Sequence, residues 1–384
     1  MSNPRRTRLI NSSRVIRQLW IEEQLSRAEL AKRLELNKSS MSNIVNELMQ
    51  QGIVKEQDVF DPGPKGGRKA IGLTLNKEYF HILGIEIRSD SYTALSVDLE
   101  GNVLFSETVP IGFTASTFSD SICTLIHDLC KKLARLERPL LGVGIGMSGV
   151  IDTEKQIILR SVSLDFHQSF DFGKEVASTF PFPVILENDA NCGAWGEVVF
   201  QRKRKMQNFL FVLIEFWKGY DAKTGFPQPT VGIGFGFDGK IYRGSHSRSG
   251  EFKSVFNRND QSKQQVLLDR TIHVTEDQDA LRKYIQEICE NLAFLINTLD
   301  IGNVFIGGDV DTLRSFMPDM LRSSLKLNSL EQSEGDCQIE FSSLGYHAVS
   351  FGGAALVLDR VLMSLEPLVE QTSESAYPLF YLNT

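Results

Sequence analysis

No run of apolar residues in this 384-residue chain approaches the ~20 needed to cross a bilayer, so a membrane protein is not expected. The basic N-terminus lacks the apolar stretch of a secretion signal, and none is expected. Cysteine is scarce: Cys123, Cys130, Cys192, Cys289 and Cys337 are odd in number and form no Cys-x-x-Cys pair. That argues against a disulfide framework or a thiolate metal cluster, and it predicts buried thiols in a reducing cytoplasm. Cys123 and Cys130, seven apart, would share a helix face. What remains is 42% apolar and long enough for two or three domains with a large core.

Charge is unevenly spread. Residues 1–76 hold 13 Lys and Arg against 8 Asp and Glu, a net of +5, within a chain whose overall charge is −7. A basic end on an acidic body suits a DNA-binding module joined to an effector domain. Arg5, Arg6 and Arg8 read as a mobile basic arm. Within 26–50, Ser26 followed by Glu29 spells a capping box. Leu30, Ala31 and Leu34 give one apolar stripe, and Glu35-Leu36-Asn37 breaks it. A second helix is predicted from Lys38 to Gln50, with Met41, Ile44, Val45 and Leu48 at helical spacing. Its other face offers Lys38, Ser39, Ser40, Ser42, Asn43 and Asn46, short polar groups suited to base edges and phosphates in a major groove. Alone, the pattern fits a helical hairpin as well as a DNA reader.

Residues 53–75 favour the DNA reader. Two β-prone runs, 53–60 and 70–75, flank the Gly/Pro-rich tip Asp61-Pro62-Gly63-Pro64-Lys65-Gly66-Gly67-Arg68-Lys69. A hairpin directly behind a helix-turn-helix is a wing, and Lys65, Arg68 and Lys69 would meet phosphates or a narrow minor groove.

From residue 78 the chain alternates. Strands are predicted at 80–87, 92–98, 103–110 and 140–147, with a helix at 118–136. The pattern recurs with strands at 209–214, 232–237, 240–243 and 304–308 and a long helix at 281–299. Two similar α/β halves suggest a two-lobed actin/hexokinase-like (ribonuclease H-like) fold with ligand between the lobes. The expected domains are 1–76, the winged helix; 77–196, the first lobe; and 197–384, the second lobe with a dimerisation surface.

The body resembles the ROK family, which unites sugar-responsive repressors and sugar kinases. The resemblance rests on Leu186-Glu187-Asn188-Asp189-Ala190-Asn191 with Gly196-Glu197, Thr230 to Gly236, Asp238-Gly239-Lys240 with Gly244, Gly250-Glu251, Ile306-Gly307-Gly308 and Gly352-Gly353-Ala354-Ala355. It implies an effector in the cleft, held by Gly149, Asn188, Asp189 and Glu251. Each buried sugar hydroxyl needs a partner, and Asn and Asp supply donors and acceptors if the chain bends between them. In family kinases the aspartate at this place is the catalytic base; here its hydrogen-bonding role is the one carried over. The alternative is that Asn188 to Asn191 is an Asx turn capping the next helix, a reading that suits Asn191 better than the pair before it.

Departures from the family pattern shape the rest. Phosphate binding in this superfamily uses an Asp-x-Gly-x-Thr loop, where glycine lets backbone N–H groups approach phosphate. Here Glu86 replaces the aspartate and Arg88 the glycine, so neither ATP binding nor kinase activity is expected. The family's Glu-x-Gly-His becomes Glu251-Phe252-Lys253-Ser254, and 256–270 contain no cysteine or histidine, so no structural zinc is expected. His246 or His167 could replace the lost histidine. Ser148-Gly149 stands for a Pro-Gly turn. Ser161 stands for a family asparagine, and Phe166 is placed to stack on a ligand. Residues 215–229, with Trp217, Tyr220 and Phe226, read as an insertion able to cover the cleft or build a dimer contact.

The expected protein is a non-enzymatic repressor that binds operator DNA and a monosaccharide-like effector, as a homodimer or dimer of dimers. The alternatives are a sugar kinase with Asp189 as base, or a regulator sensing a non-sugar ligand or protein partner.

Overall fold

The N-terminal module is organised by caps that hold its helices in register. Helices α1 (Pro4–Glu22), α2 (Arg27–Arg33) and α3 (Lys38–Gln50) come first, in a computed structural model that describes residues 4–60, 70–200, 207–216, 229–258, 264–265, 276–329 and 337–363. The predicted capping box forms: Glu29 N donates to Ser26 Oγ, and Ser26 N donates to the Glu29 carboxylate. Glu35 takes a left-handed φ of 56° in the turn, and the Asn37 side chain caps α3 by accepting from Ser40 N at 2.7 Å. Leu30, Met41, Ile44, Val45 and Leu48 are buried, as their spacing predicts. Strands β1 (Leu25–Ser26), β2 (Val54–Phe60) and β3 (Ala70–Leu75) form an antiparallel sheet in the order β1-β3-β2. The basic arm is corrected: Arg5, Arg6 and Arg8 belong to α1, and the Arg8 guanidinium lies 2.5 Å from Glu47 on α3. The wing tip with Lys65, Arg68 and Lys69 lies outside the described residues.

The body contains one sheet pattern twice. The first lobe has β4 (His81–Ile87), β5 (Ser91–Val97), β6 (Val103–Pro110), β7 (Leu140–Met147), the small strands β8 (Val150–Asp152), β9 (Ile157–Arg160) and β10 (Phe170–Asp171), and β11 (Val184–Asn188). Its main sheet runs β6-β5-β4-β7-β11. The second lobe has β12 (Asn208–Phe216), β13 (Pro229–Phe237), β14 (Lys240–Tyr242), β15 (Asn303–Gly308) and β16 (Gln338–Phe341), ordered β14-β13-β12-β15-β16. In both, three antiparallel strands are followed by two parallel ones. β4 is buried along its whole length, which explains why it is apolar but for His81 and Glu86. The expected insertion at 215–229 is shorter, because β12 includes Glu215 and Phe216 and β13 begins at Pro229. Trp217, Tyr220 and Phe226 lie outside the described residues.

Helix α4 (Phe118–Leu133) covers the first sheet through Phe118, Ile122, Ile126 and Leu129, and a single turn, α5 (Phe172–Glu175), joins that core. Two further helices, α7 (Gln278–Leu299) and α8 (Met317–Leu327), cover the second sheet. Between the lobes, α6 (Asp189–Phe200) packs against α9 (Ala348–Leu358), and α9 also lies on β4 and β7. The C-terminal part of the chain is therefore shared between both lobes. A Cβ at Gly352 would sit 1.7 Å from the Cys192 carbonyl oxygen, so the two helix backbones approach closely there. The same apolar core continues into the N-terminal module. Leu356, Val357 and Val361 belong to one cluster with Val15, Ile16, Leu19, Leu30 and Leu73.

Candidate effector cleft and DNA-reading face

The bend required of Asn188-Asp189 occurs where β11 ends and α6 begins. Asn188 is the helix cap: its Oδ1 accepts from Asn191 N at 3.1 Å, and its Nδ2 donates to the Gly149 carbonyl at 3.1 Å. The Asx role therefore falls to Asn188 and not to Asn191, and the Asn188 amide has one N–H and one acceptor position left for a ligand. Gly149 has φ 136°, and a Cβ there would meet the Arg160 carbonyl at 2.5 Å. Its part in the site is to make the turn that Asn188 holds. Glu251 reaches the same region from the second lobe, in an isolated antiparallel bridge to Gly232, beside which Asp189 lies.

The Asp189 carboxyl is buried and pushed up to about 7, first by desolvation and then by the Glu215 charge, against the hydrogen bond from Ala190 N. A raised carboxyl makes folding stability fall with pH. Below about pH 4 both states hold the proton, and between about 4 and 7 only the folded state keeps it; above 7 the difference is constant. Asp189→Asn should flatten the decline in melting temperature between pH 5 and 7. An unchanged decline in the variant would place its source elsewhere.

Arg88 fills the place of the superfamily's phosphate loop. Its Nε donates to Glu86 at 2.8 Å, its Nη2 lies 2.9 Å from Glu215, and its Nη1 donates to Asp309 at 3.4 Å. The guanidinium also stands 5.0 Å from the Tyr346 ring centroid. Burial opposes its charge, but Glu215, Glu86 and Asp309 more than compensate and raise its pKa. Burial also raises the Glu215 carboxyl. Glu86 and Arg88 come from the first lobe, Glu215 and Asp309 from the second, so this cluster ties the lobes together. The residues do not fit a nucleotide's phosphates, because a guanidinium and three acids stand where open backbone N–H groups are needed.

The family's zinc position is also recast. Ser254 is buried, and its Oγ accepts from Asn291 Nδ2 at 3.2 Å. Ser254 N donates to the Gln264 carbonyl at 2.8 Å, and Val255 N donates to Asn291 Oδ1 at 2.8 Å. Hydroxyl and amide groups do not fit a tetrahedral site made for thiolate and imidazole. Among the described residues no cluster of three or more His, Cys, Asp or Glu is arranged for a metal.

Several expected contacts change. Phe166 packs into the first lobe's core, edge-on to Phe118 at 5.2 Å, and does not stack on a ligand. Ser161 is buried and donates to the Ser148 carbonyl. His167 is exposed, 2.8 Å from Asp165, and His246 is exposed after the Gly244 turn. Of the thiols, Cys192 and Cys289 are buried while Cys123, Cys130 and Cys337 are only half-buried. Sequence reasoning missed Glu187, Arg243, Glu215 and Asp309. The signal for Glu187 was its place inside the Glu-Asn-Asp motif.

On the DNA-reading side, Lys38, Ser39, Asn43 and Asn46 are exposed on one face of α3, with Ser40 and Ser42 half-buried at its edge. Asn43 and Asn46 are the exposed amides on that face. No helix among the described residues is long and apolar enough to cross a membrane.

Comparison with known proteins agrees with both halves. Residues 82–255 match the ROK family and residues 10–61 match the MarR family. A xylose repressor of Bacillus subtilis is 24% identical over 385 residues, covering 92% of this chain and 96% of that protein. A xylose repressor of Caldicellulosiruptor bescii is 29% identical over 257 residues, 65% of this chain and 59% of its own length. Among solved structures, a ROK family transcriptional regulator, a homologue of the E. coli MLC protein, aligns with a TM-score of 0.74 at 18% identity, covering 95% of this chain and 99% of its own. A ROK family glucokinase from Streptomyces griseus, in complex with glucose and AMPPNP, aligns at 0.57 and 21% identity over 72% of this chain and 98% of its own. Over residues 82–255 the chain is thus similar to the ROK family, behind a helix-turn-helix similar to the MarR family.

Proposed function

We propose that this protein is a sugar-responsive DNA-binding repressor of carbohydrate-utilisation genes. The observation that carries the reading is the union of a polar, exposed α3 face with a sugar-kinase fold whose phosphate place is filled by Arg88. The effector is a monosaccharide or derivative bound at Asn188, Asp189 and Glu251, with Gly149 shaping the turn. Asn43 and Asn46 read bases, and Lys38, Ser39, Ser40, Ser42, Lys65, Arg68 and Lys69 hold the backbone of operator DNA. A homodimer supplies the second module that a palindromic operator requires. Effector shifts DNA affinity only by binding one arrangement of the lobes better; a 100-fold preference is ~2.7 kcal/mol. The reading assigns the protein no catalysis, no zinc and no nucleotide.

One observation favours the kinase alternative: a buried Asp189 pushed up to about 7 has the proton affinity of a general base. The test begins with duplexes selected by the native protein from a random pool. Their affinity is then measured with and without each of a panel of monosaccharides, with Asp189→Asn as control. The expected result is that one sugar changes DNA affinity at least tenfold, that Asp189→Asn abolishes the change, and that no sugar elicits ATP hydrolysis. Sugar-dependent ATP hydrolysis would install the kinase reading. Silence across the panel would turn the search to non-sugar effectors or a protein partner.

A further inference from the structure

Glu187 precedes the effector pair, and its carboxylate is wholly buried. Its Oε1 accepts from Thr153 Oγ1 at 2.9 Å, from Asn188 N at 3.0 Å and from Asn191 Nδ2 at 3.2 Å. The other oxygen faces Arg243, with Nε at 2.8 Å and Nη2 at 2.7 Å. A buried carboxylate so fully engaged fixes the backbone of Asn188, and through it the position of Asp189. Arg243 comes directly after β14 in the second lobe, so the Glu187–Arg243 pair crosses between lobes directly behind the effector residues.

Arg243 has further neighbours. Its guanidinium lies 5.9 Å from the Trp195 ring centroid on α6, and its Nη1 lies 3.8 Å from Glu154. Glu154 in turn pairs with Arg360. Arg360 belongs to the wide π-helical turn Asp359–Met363 that continues α9, and this turn packs on α1. Its neighbour Val361 is buried in the core that contains Val15, Ile16, Leu19 and Trp20 of α1. α1 holds α3 through Arg8–Glu47, and Arg14 donates to the Leu34 carbonyl at the end of α2. An unbroken set of contacts thus leads from Asn188 to the DNA-reading helix, passing through one cation that both lobes share.

We propose that Arg243 is a positioning residue that carries the state of the effector cleft to the DNA-binding module, through Glu154 and Arg360. A shift of the second lobe against the first moves Arg243 relative to Glu187. The guanidinium then carries Glu154 with it or releases it, and Arg360 and the turn against α1 move in response. This rests on the repressor reading, and it adds the route by which one site informs the other. Spatial continuity alone does not demonstrate coupling, so the test measures coupling itself.

The measurement is DNA affinity of the native protein and of Arg243→Gln, Arg243→Lys and Arg360→Gln, each with and without D-xylose and D-glucose, on duplexes selected by the native protein. Affinity for each sugar without DNA is measured alongside. Arg360→Gln serves as the second variant because its ion pair with Glu154 is partly exposed and its loss is tolerable to the fold. The expected result is that the sugar-induced change in DNA affinity falls at least fivefold in Arg243→Gln and in Arg360→Gln. In Arg360→Gln, affinity for sugar alone and for DNA alone stays within threefold of native, and Arg243→Lys retains part of the coupling because it keeps charge without the two-nitrogen grip. Native-like coupling in both glutamine variants would overturn the proposal while leaving the repressor reading intact. Loss of sugar affinity itself in Arg360→Gln would also overturn it, because the turn against α1 would then be acting on the pocket and not on its coupling to DNA. A native protein that responds to neither sugar would overturn this proposal for these two effectors, and the wider monosaccharide panel would then decide the repressor reading.

Discussion

Arg88→Ala is expected to destabilise the protein by about 3–5 kcal/mol near neutral pH, the usual loss when one partner of a buried ion pair is removed. The reason is the company left behind. Glu86, Glu215 and Asp309 have side chains only 2%, 13% and 18% exposed, and Arg88 is the cation that all three face. Without it, three carboxylates repel one another in a place with little water. Protons taken up by the cluster relieve that repulsion, so the penalty shrinks at acid pH. Urea denaturation of native and variant protein at pH 5 and pH 8 would show the difference narrowing at pH 5. A pH-independent difference would mean that lost packing against Tyr346 is responsible. Neutralising the acids together with the arginine (Arg88→Met with Glu86→Gln, Glu215→Gln and Asp309→Asn) should recover much of the loss, because no uncompensated charge then remains.

Gly352→Ala should be comparably severe for a steric reason. The added methyl would lie 1.7 Å from the Cys192 carbonyl oxygen and 2.1 Å from its carbon, both backbone atoms with no rotamer to move. Overpacking in a core costs roughly 1–3 kcal/mol when side chains can adjust, and more when they cannot. Here α6 and α9 must separate, and α9 is held on its other side by β4 and β7. The expected outcome is a melting temperature lowered by more than about 5 °C, together with weakened sugar binding, since Asp189 opens α6. A variant that melts like the native protein would show that the crossing of α6 and α9 can relax cheaply.

Much of this architecture was legible. The strands at 103–110 and 140–147 and the helix at 38–50 fall at the expected residues: helical spacing coincides with the buried face of α3, the apolar run at 140–147 with a strand buried almost throughout, and 103–110 with an edge strand that is only half-buried. α9 was visible only as Gly352-Gly353-Ala354-Ala355. Glycine argues against a helix locally, and only the crowding around it explains the choice. α1 was hidden for a similar reason: its first turns look like a charged tail until Val15, Ile16, Leu19 and Trp20 find a core to enter. At the site, Asn188, Asp189 and Glu251 could be named from a motif. Phe166 could not be placed, since an aromatic that stacks on a ligand and one that packs on Phe118 look alike in one dimension. The interlobe clusters were beyond reach, because Arg88 and Asp309 are 221 residues apart and only the folded sheets bring them together.

The shared apolar core beneath the N-terminal module has a consequence for how this protein could be divided. Residues of α1, α2, α3 and β3 bury themselves in one continuous cluster with α6 and α9, and Asn76 closes the junction by donating to the Gly52 and Ile53 carbonyls. The DNA reader is therefore not a detachable cassette on a string. Cutting it away would leave a greasy scar on the sugar-binding body, and the severed reader would carry the matching one. Heat or denaturant should take both apart together.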